Sequence, residues 1–247
     1  LLLIAAPAAA QWTTEYDIEN DVSWYAAHMV TSTVGYVSGA SGLIYKTTDG
    51  GYTWVEQTTP TTEEYFDIFF LDVNTGWAVG DNGTLCYTTD GGANWNTHPQ
   101  QGVIATADLN DVFFLDSMHG WIGGDAGVIL LTTDGGTTWV AATSQTSTDD
   151  VNEIGFFDAL RGCTASDSDG LMYTTDGGVN WLAATVSFGP YPYTRSDVEA
   201  VWVIDDSTAV ATGWGSSIGP QPTILVVSTD YGQSWDVPDP TYAYGAY

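Results

Sequence analysis

A chain of 247 residues with 44% hydrophobic and 13% aromatic content can bury a large core, which excludes a disordered chain. Three basic residues, Lys46, Arg161 and Arg195, stand against 31 Asp and Glu, giving a net charge of −28. A field of that sign repels phosphate backbones and anionic lipid, so nucleic acid and anionic membranes are disfavoured as partners.

In chain order, residues 1–10 (LLLIAAPAAA) form an apolar run ending in small residues, with Ala8 and Ala10 in an A-x-A arrangement. The run reads as the remnant of a secretory signal peptide, followed by a domain over 11–247. Ten residues are too few to span a membrane, and no other stretch reads as a transmembrane segment. The expected location is secreted or at the cell surface, with the periplasm as an alternative. Cys86 and Cys163 make no disulfide framework and are expected as buried free thiols.

From residue 20 onward one unit recurs: TTDGGYTW (47–54), TTDGGANW (88–95), TTDGGTTW (132–139), TTDGGVNW (174–181) and STDYGQSW (228–235). Ahead of it lie Gly-rich strand pairs such as TGWAVGDNGTLCYTTD (75–90) and HGWIGGDAGVILLTTD (119–134). Alternating apolar strands precede those: DIFFLD (67–72), DVFFLD (111–116), EIGFFD (153–158) and AVWVID (200–205). Each repeat therefore reads as four short strands, A to D, with the Asp unit in the C–D hairpin and its Trp opening strand D. The expected blades are about 20–58, 65–98, 109–142, 151–186 and 198–238. Four-stranded units at this period predict an all-β fold, a β-propeller whose A strands line the central channel. Residues 11–17 (QWTTEYD) resemble the strand-D segments, and a strand there that completes the final blade would close the ring and hide two sheet edges. Whether the ring closes on five blades is left open by the sequence.

Within each unit the Asp carboxylate is expected to accept backbone N–H groups of a tight turn: Asp49, Asp90, Asp134, Asp176 and Asp230. Gly51, Gly92, Gly136, Gly178 and Gly232 allow positive φ two residues on. Trp54, Trp95, Trp139, Trp181 and Trp235 pack over the hairpins. Five identical carboxylates in five blades point to scaffolding, not to catalysis.

The pattern [ST]-x-D-x-G-x-x-W resembles the Asp box, or BNR repeat, of sialidases, sortilin-type receptors, xyloglucan-active glycosidases and photosystem II assembly-factor propellers. The resemblance covers about residues 20–238 and implies the propeller fold. Sialidases clamp a substrate carboxylate with three arginines, and this chain has only Arg161 and Arg195. The assembly-factor propellers share the GW-x-x-G pattern, as at Gly76, Trp77 and Gly80, but carry an arginine-rich face that is absent here.

A glycoside hydrolase would need two carboxylates facing each other across a cleft. Asp72, Asp116, Asp158 and Asp205 end the inner strands, and their recurrence again points to turns. Metal leads are slight: DSDG (167–170) and the turn at Asp81 supply too few oxygen ligands for calcium, and His28, His98 and His119 lack ligand spacing. No metal or cofactor is expected.

The chain departs from its period before Asp230, through SFGPYPYTR (187–195) in a D–A connection and GWGSSIGPQP (213–222) in a B–C connection. Strand alternation puts both on the face opposite the Asp units. Phe188, Tyr191, Tyr193, Arg195 and Trp214 are the expected binding residues, since aromatics with an Arg on a loop platform suit protein or sugar contact. The alternative is a pair of Pro-rich loops that cover a blade edge. The sequence reading is a non-catalytic propeller binding an extracellular protein or glycan, or serving as a structural part of a surface assembly. The alternative is a glycoside hydrolase acting on a polysaccharide through paired carboxylates.

Overall fold

The computed structural model describes residues 22–99, 106–143, 148–167, 170–187, 196–215 and 223–237. Short alternating segments separated by glycine turns leave only hairpins as neighbours, so the strands pair in chain order. The first sheet holds β1 (Trp24–Met29), β2 (Gly35–Gly39), β3 (Ile44–Thr47) and β4 (Val55–Glu56). The second holds β5 (Tyr65–Phe70), β6 (Gly76–Gly80), β7 (Thr84–Thr88) and β8 (Asn96–Thr97). The third holds β9 (Leu109–Phe114), β10 (Gly120–Gly124), β11 (Ile129–Thr132) and β12 (Val140–Ala141). The fourth holds β13 (Val151–Phe156), β14 (Gly162–Ser166), β15 (Leu171–Thr174) and β16 (Leu182–Ala183). The five sheets, antiparallel apart from one edge strand of the fifth, are propeller blades, and their inner strands β1, β5, β9, β13 and β18 (Ser196–Val203) pack on one another in sequence.

Each inner strand carries a bulge. Tyr65 faces Gly80 while Asp67 faces Val79, so Phe66 is the extra residue. The bulge lets Tyr65, Ile68 and Phe70 all point into the core, which strict alternation would forbid. Four apolar cores fill the spaces between successive sheets; the one between the second and third gathers Trp77, Leu85, Val112, Phe114 and Trp139.

The fifth sheet departs from the four-strand expectation. It holds β18, β19 (Ala209–Gly215), β20 (Thr223–Ser228) and β21 (Ser234–Asp236), and β17 (Thr185–Ser187) joins its outer edge parallel to β21. The Thr185 N–H donates to the Gln233 carbonyl at 3.0 Å and Val186 packs on the core around Trp235, so the D–A connection covers an edge that would otherwise be unpaired. Two further expectations are corrected. The Trp of the first four Asp units precedes strand D by one residue, because the turn holds it until the backbone can extend; only Trp235 lies inside its strand. Residues 213–215 are not connection but the end of β19, since the longer β19–β20 ladder pairs Trp214 with Thr223.

The connections segregate to two ends. The A–B and C–D turns meet at one: the N–H groups of Gly50, Gly91, Gly135 and Gly177 donate to Thr33, Asn74, Met118 and Leu160 carbonyls. The B–C and D–A turns meet at the other, where Asp81, Asp125 and Asp167 N–H groups donate to the carbonyls of Glu64, Asp108 and Asp150.

Candidate functional site

Carboxylates are the natural place to look for chemistry in this chain, and three families of them recur. In the Asp units, Asp49 Oδ1 accepts the Thr53 N–H at 2.8 Å and the Thr47 hydroxyl at 2.9 Å, while Oδ2 accepts the Thr53 hydroxyl at 2.6 Å. Thr47 Oγ1 in turn accepts the Gly51 N–H at 2.9 Å. The same bonds recur around Asp90, Asp134, Asp176 and Asp230. The side-chain hydrogen bonds from Thr53, Asn94 and Thr138 hold Asp49, Asp90 and Asp134 below the usual carboxylate range. The sequence reading missed one part of this unit: the residue before each Trp is always a side-chain donor, Thr53, Asn94, Thr138, Asn180 or Ser234. Both residues after each Asp take positive φ, and in the fifth unit Tyr231 does so at 64° where the others have glycine. The Arg161 guanidinium lies 3.6 Å over the Tyr231 ring, tying the fourth sheet to the fifth.

The second family sits in the A–B turns. Asp72 Oδ1 accepts the N–H groups of Asn74 and Thr75 at 2.7 and 2.9 Å, and Asp116, Asp158 and Asp205 accept theirs in the same way. These carboxylates are turn formers, each fixed to its own hairpin.

Asp67, Asp111 and Glu153 form the third family, which the sequence reading did not single out. They occupy equivalent positions on β5, β9 and β13, one residue past each bulge. Asp67 Oδ2 accepts the Val112 N–H at 3.0 Å, Asp111 Oδ2 the Ile154 N–H at 2.8 Å, and Glu153 Oε2 the Val201 N–H at 3.0 Å. Each carboxylate thus satisfies a backbone donor on the next inner strand, a group with no ladder partner on that side. Burial raises the pKa of all three, taking Glu153 to about 7 and Asp111 well above its ordinary value, with the neighbouring Asp67 charge adding to Asp111. Raised carboxyl pKa values are what a general acid requires. Here the groups are half-buried and each is committed to a backbone N–H of the next blade, so they fasten blades together.

Between the second and third sheets lies a recess of about 220 Å³, lined by Trp77, Tyr87, His98, Pro99 and Gly136. In the next two gaps the corresponding backbone N–H closes the space, Thr143 donating to Val179 and Thr185 to Gln233. Pro99 has no N–H to give. His98 substitutes: Nε2 donates to the Gly136 carbonyl at 2.9 Å, and burial lowers its pKa, keeping the ring neutral.

Among the described residues no group of three or more His, Cys, Asp or Glu is arranged to hold a metal ion, and no helix is long and apolar enough to cross a membrane. Cys86 and Cys163 are free and buried.

Of the expected binding residues, Phe188, Tyr191, Tyr193 and Arg195 lie outside the described residues. Trp214 is 46% exposed at the B–C and D–A end of β19. Around that end stand Glu63, Glu64, Asp81, Asp108, Asp125 and Asp150, all half-buried. Neither described cation reaches it: Lys46 Nζ donates to the Gly91 carbonyl at 2.7 Å, and Arg161 is held at the other end by Asp158. This end is a negatively charged rim with an exposed indole. Trp202, which the sequence reading passed over, is also exposed, on the side of the fifth sheet; the signal was a Trp in a column that otherwise reads His28, Phe69, Phe113 and Gly155.

Residues 4–97, 54–143 and 98–187 each match the family described as photosynthesis system II assembly factor YCF48. A YCF48 structure bound to a D1 peptide is similar at 17% identity and TM-score 0.60, over 87% of this chain and 80% of that one. YCF48 from Cyanidioschyzon merolae is similar at 15% identity and TM-score 0.57, over 89% of this chain and 85% of that one. The GH74 xyloglucanase from Xanthomonas campestris reaches TM-score 0.65 at 14% identity, over 82% of this chain but only 36% of the enzyme. At such identities the likeness establishes the propeller fold alone. No curated protein matches the sequence.

Proposed function

The chain belongs to the YCF48 photosystem II assembly-factor family, and on that premise we propose that it is a non-catalytic propeller that captures a basic segment of another protein. The observation that carries this reading is the acidic B–C and D–A rim with Trp214 exposed beside it. A YCF48 propeller holds a D1 peptide, which supports peptide capture as a use of the fold. The arginine-rich face implied for assembly-factor propellers has no counterpart in a chain with three basic residues, so the preferred ligand here carries the opposite charge. The indole supplies an anchor and the carboxylates supply steering and register. Against catalysis stand the three carboxylate families, each engaged by backbone donors. The reading includes export, supported by the apolar residues 1–10; native protein found in the cytosol with those residues intact would end that part.

The test is fluorescence anisotropy with labelled Lys/Arg-rich peptides and their Asp/Glu counterparts. Basic peptides should bind, salt should weaken them, and Trp214→Ala should cost roughly tenfold in affinity. Equal retention of acidic and basic peptides, or an unchanged Kd in the variant, would sink the assignment.

A further inference from the structure

Three gaps between blades are built around a ring on the second strand of one blade stacked on a Phe of the next inner strand. Tyr36 lies on Phe70 at 3.7 Å, Trp77 on Phe114 at 3.7 Å and Trp121 on Phe156 at 3.4 Å. In the first and third of these gaps the ring's polar atom is used. The Tyr36 hydroxyl donates to the Gly91 carbonyl at 3.0 Å, which also accepts Lys46 Nζ at 2.7 Å, and Trp121 Nε1 donates to the Gly177 carbonyl at 2.9 Å. Gly91, Gly135 and Gly177 hold the same place in their Asp units. Between the second and third blades the matching pair is Trp77 Nε1 and the Gly135 carbonyl, and neither has a hydrogen-bond partner among the described residues. The Trp77 ring is rotated relative to Trp121: a Cβ on Gly178 would meet Trp121 Nε1 and Cδ1, and one on Gly136 would meet Trp77 Nε1 and Cε2.

This donor and acceptor belong to the wall of the 220 Å³ recess, together with Tyr87, Pro99 and Gly136. The recess exists because Tyr87 stands where Lys46 fills the first gap, and Pro99 where Thr143 and Thr185 close the later ones with their N–H groups. It exceeds what one water needs, and most of its wall is ring carbon that water does not satisfy. Thr75, Thr89 and Thr137 place its mouth at the A–B and C–D end; the described D–A turns meet at the other. No carboxylate, Lys or Arg lines it, and Asp90 and Asp134 on either side commit both oxygens to their own turns. A charged ligand therefore finds no counter-ion. Flat stacking of a sugar ring on Trp77 is closed off as well, because Phe114 covers its face and the residue is 3% exposed.

We propose that the recess takes a primary carboxamide on a short aliphatic stem, the group carried by a glutamine side chain. Its carbonyl oxygen accepts the Trp77 N–H, its NH2 donates to the Gly135 carbonyl, and its stem lies between Tyr87 and Pro99. The group is neutral and holds an acceptor and donors on adjacent atoms, which matches a site offering one of each. Trp77 and Gly135 then gain the bonds that their counterparts in the flanking gaps make within the chain. The site is independent of basic-peptide capture, which uses the opposite end of the molecule.

Nitrogen-15 spectra of the full chain test this through the indole N–H signals, that of Trp77 being identified by its loss in Trp77→Phe. Propionamide should move the Trp77 signal downfield to saturation, and propionate and propanol should leave it in place. Pro99→Thr, at an exposed position, supplies the N–H that closes the later gaps and should abolish the response. Trp77→Phe keeps a ring on Phe114 and, followed at the Gly136 amide, should bind propionamide roughly tenfold more weakly. A neutral glutamine tripeptide and its leucine counterpart separate the sources of the group. Tighter binding of the glutamine peptide than of propionamide assigns a partner protein's side chain, and the reverse assigns a free small amide. A Trp77 signal that propionamide leaves unmoved, or that propionate or propanol moves as far, overturns the proposal. So does a Pro99→Thr variant that still responds.

Discussion

Glu153 shows how a single side chain can couple blade assembly to pH. Its carboxyl holds the Val201 N–H of the next blade, and burial raises its pKa from 4.5 to about 7. A raised value means that the folded state prefers the protonated group, so its contribution is full below about pH 4.5 and is lost as pH rises through 7. A shift of that size corresponds to about 3 kcal/mol. Asp67 and Asp111 act in the same direction. Asp49, Asp90 and Asp134 act oppositely, but their losses fall below the ordinary Asp range. The melting temperature should therefore fall between pH 5 and pH 8 (about the window those values span). Glu153→Gln keeps an acceptor for Val201 and removes the titration, so calorimetry across that window should show a flatter profile; an unchanged slope would remove Glu153 as a cause.

At the scale of elements, the edge strand β17 is where the chain modifies its own repeat. Four blades end in two-residue D strands, and the fifth gains a parallel neighbour through Thr185, Val186 and Ser187. The Thr185 N–H ties one end of it, and the Ser187 carbonyl accepts the Val237 N–H at 3.3 Å at the other. Pro99 shows the natural version of its loss two blades earlier, where the His98 ring donates to the Gly136 carbonyl instead. Thr185→Pro should loosen β17 and destabilise the fifth blade by about 1–2 kcal/mol. Hydrogen exchange should then accelerate in β21 and leave β5–β8 unchanged; uniform protection across both would contradict a local role.

For the molecule as a whole, charge is the dominant condition on stability. Acidic groups crowd both ends, and three bases cannot offset them. Raising NaCl from tens of millimolar to about half molar shortens the screening length severalfold and should raise the melting temperature at low protein concentration. A flat or falling trend would mean that repulsion among the carboxylates is already relieved, by protonation or by bound cations.

The period of the Asp units determined the propeller, because a turn that needs Asp, Gly and Trp at fixed offsets leaves a visible mark in every blade. The turn roles of Asp72, Asp116, Asp158 and Asp205 were legible for the same reason: they are local, and local geometry repeats with local sequence. Asp67, Asp111 and Glu153 were not legible as blade ties, since their partners lie more than forty residues away and only the bulge aims them there. Trp202 shows in the sequence only as an odd member of a column that elsewhere holds the partly buried Phe69 and Phe113, and its exposure does not show there. Only the tertiary structure decides such matters, because the donor a carboxylate holds and the cover over a ring are set by which strand stands next in space and not by which residue comes next.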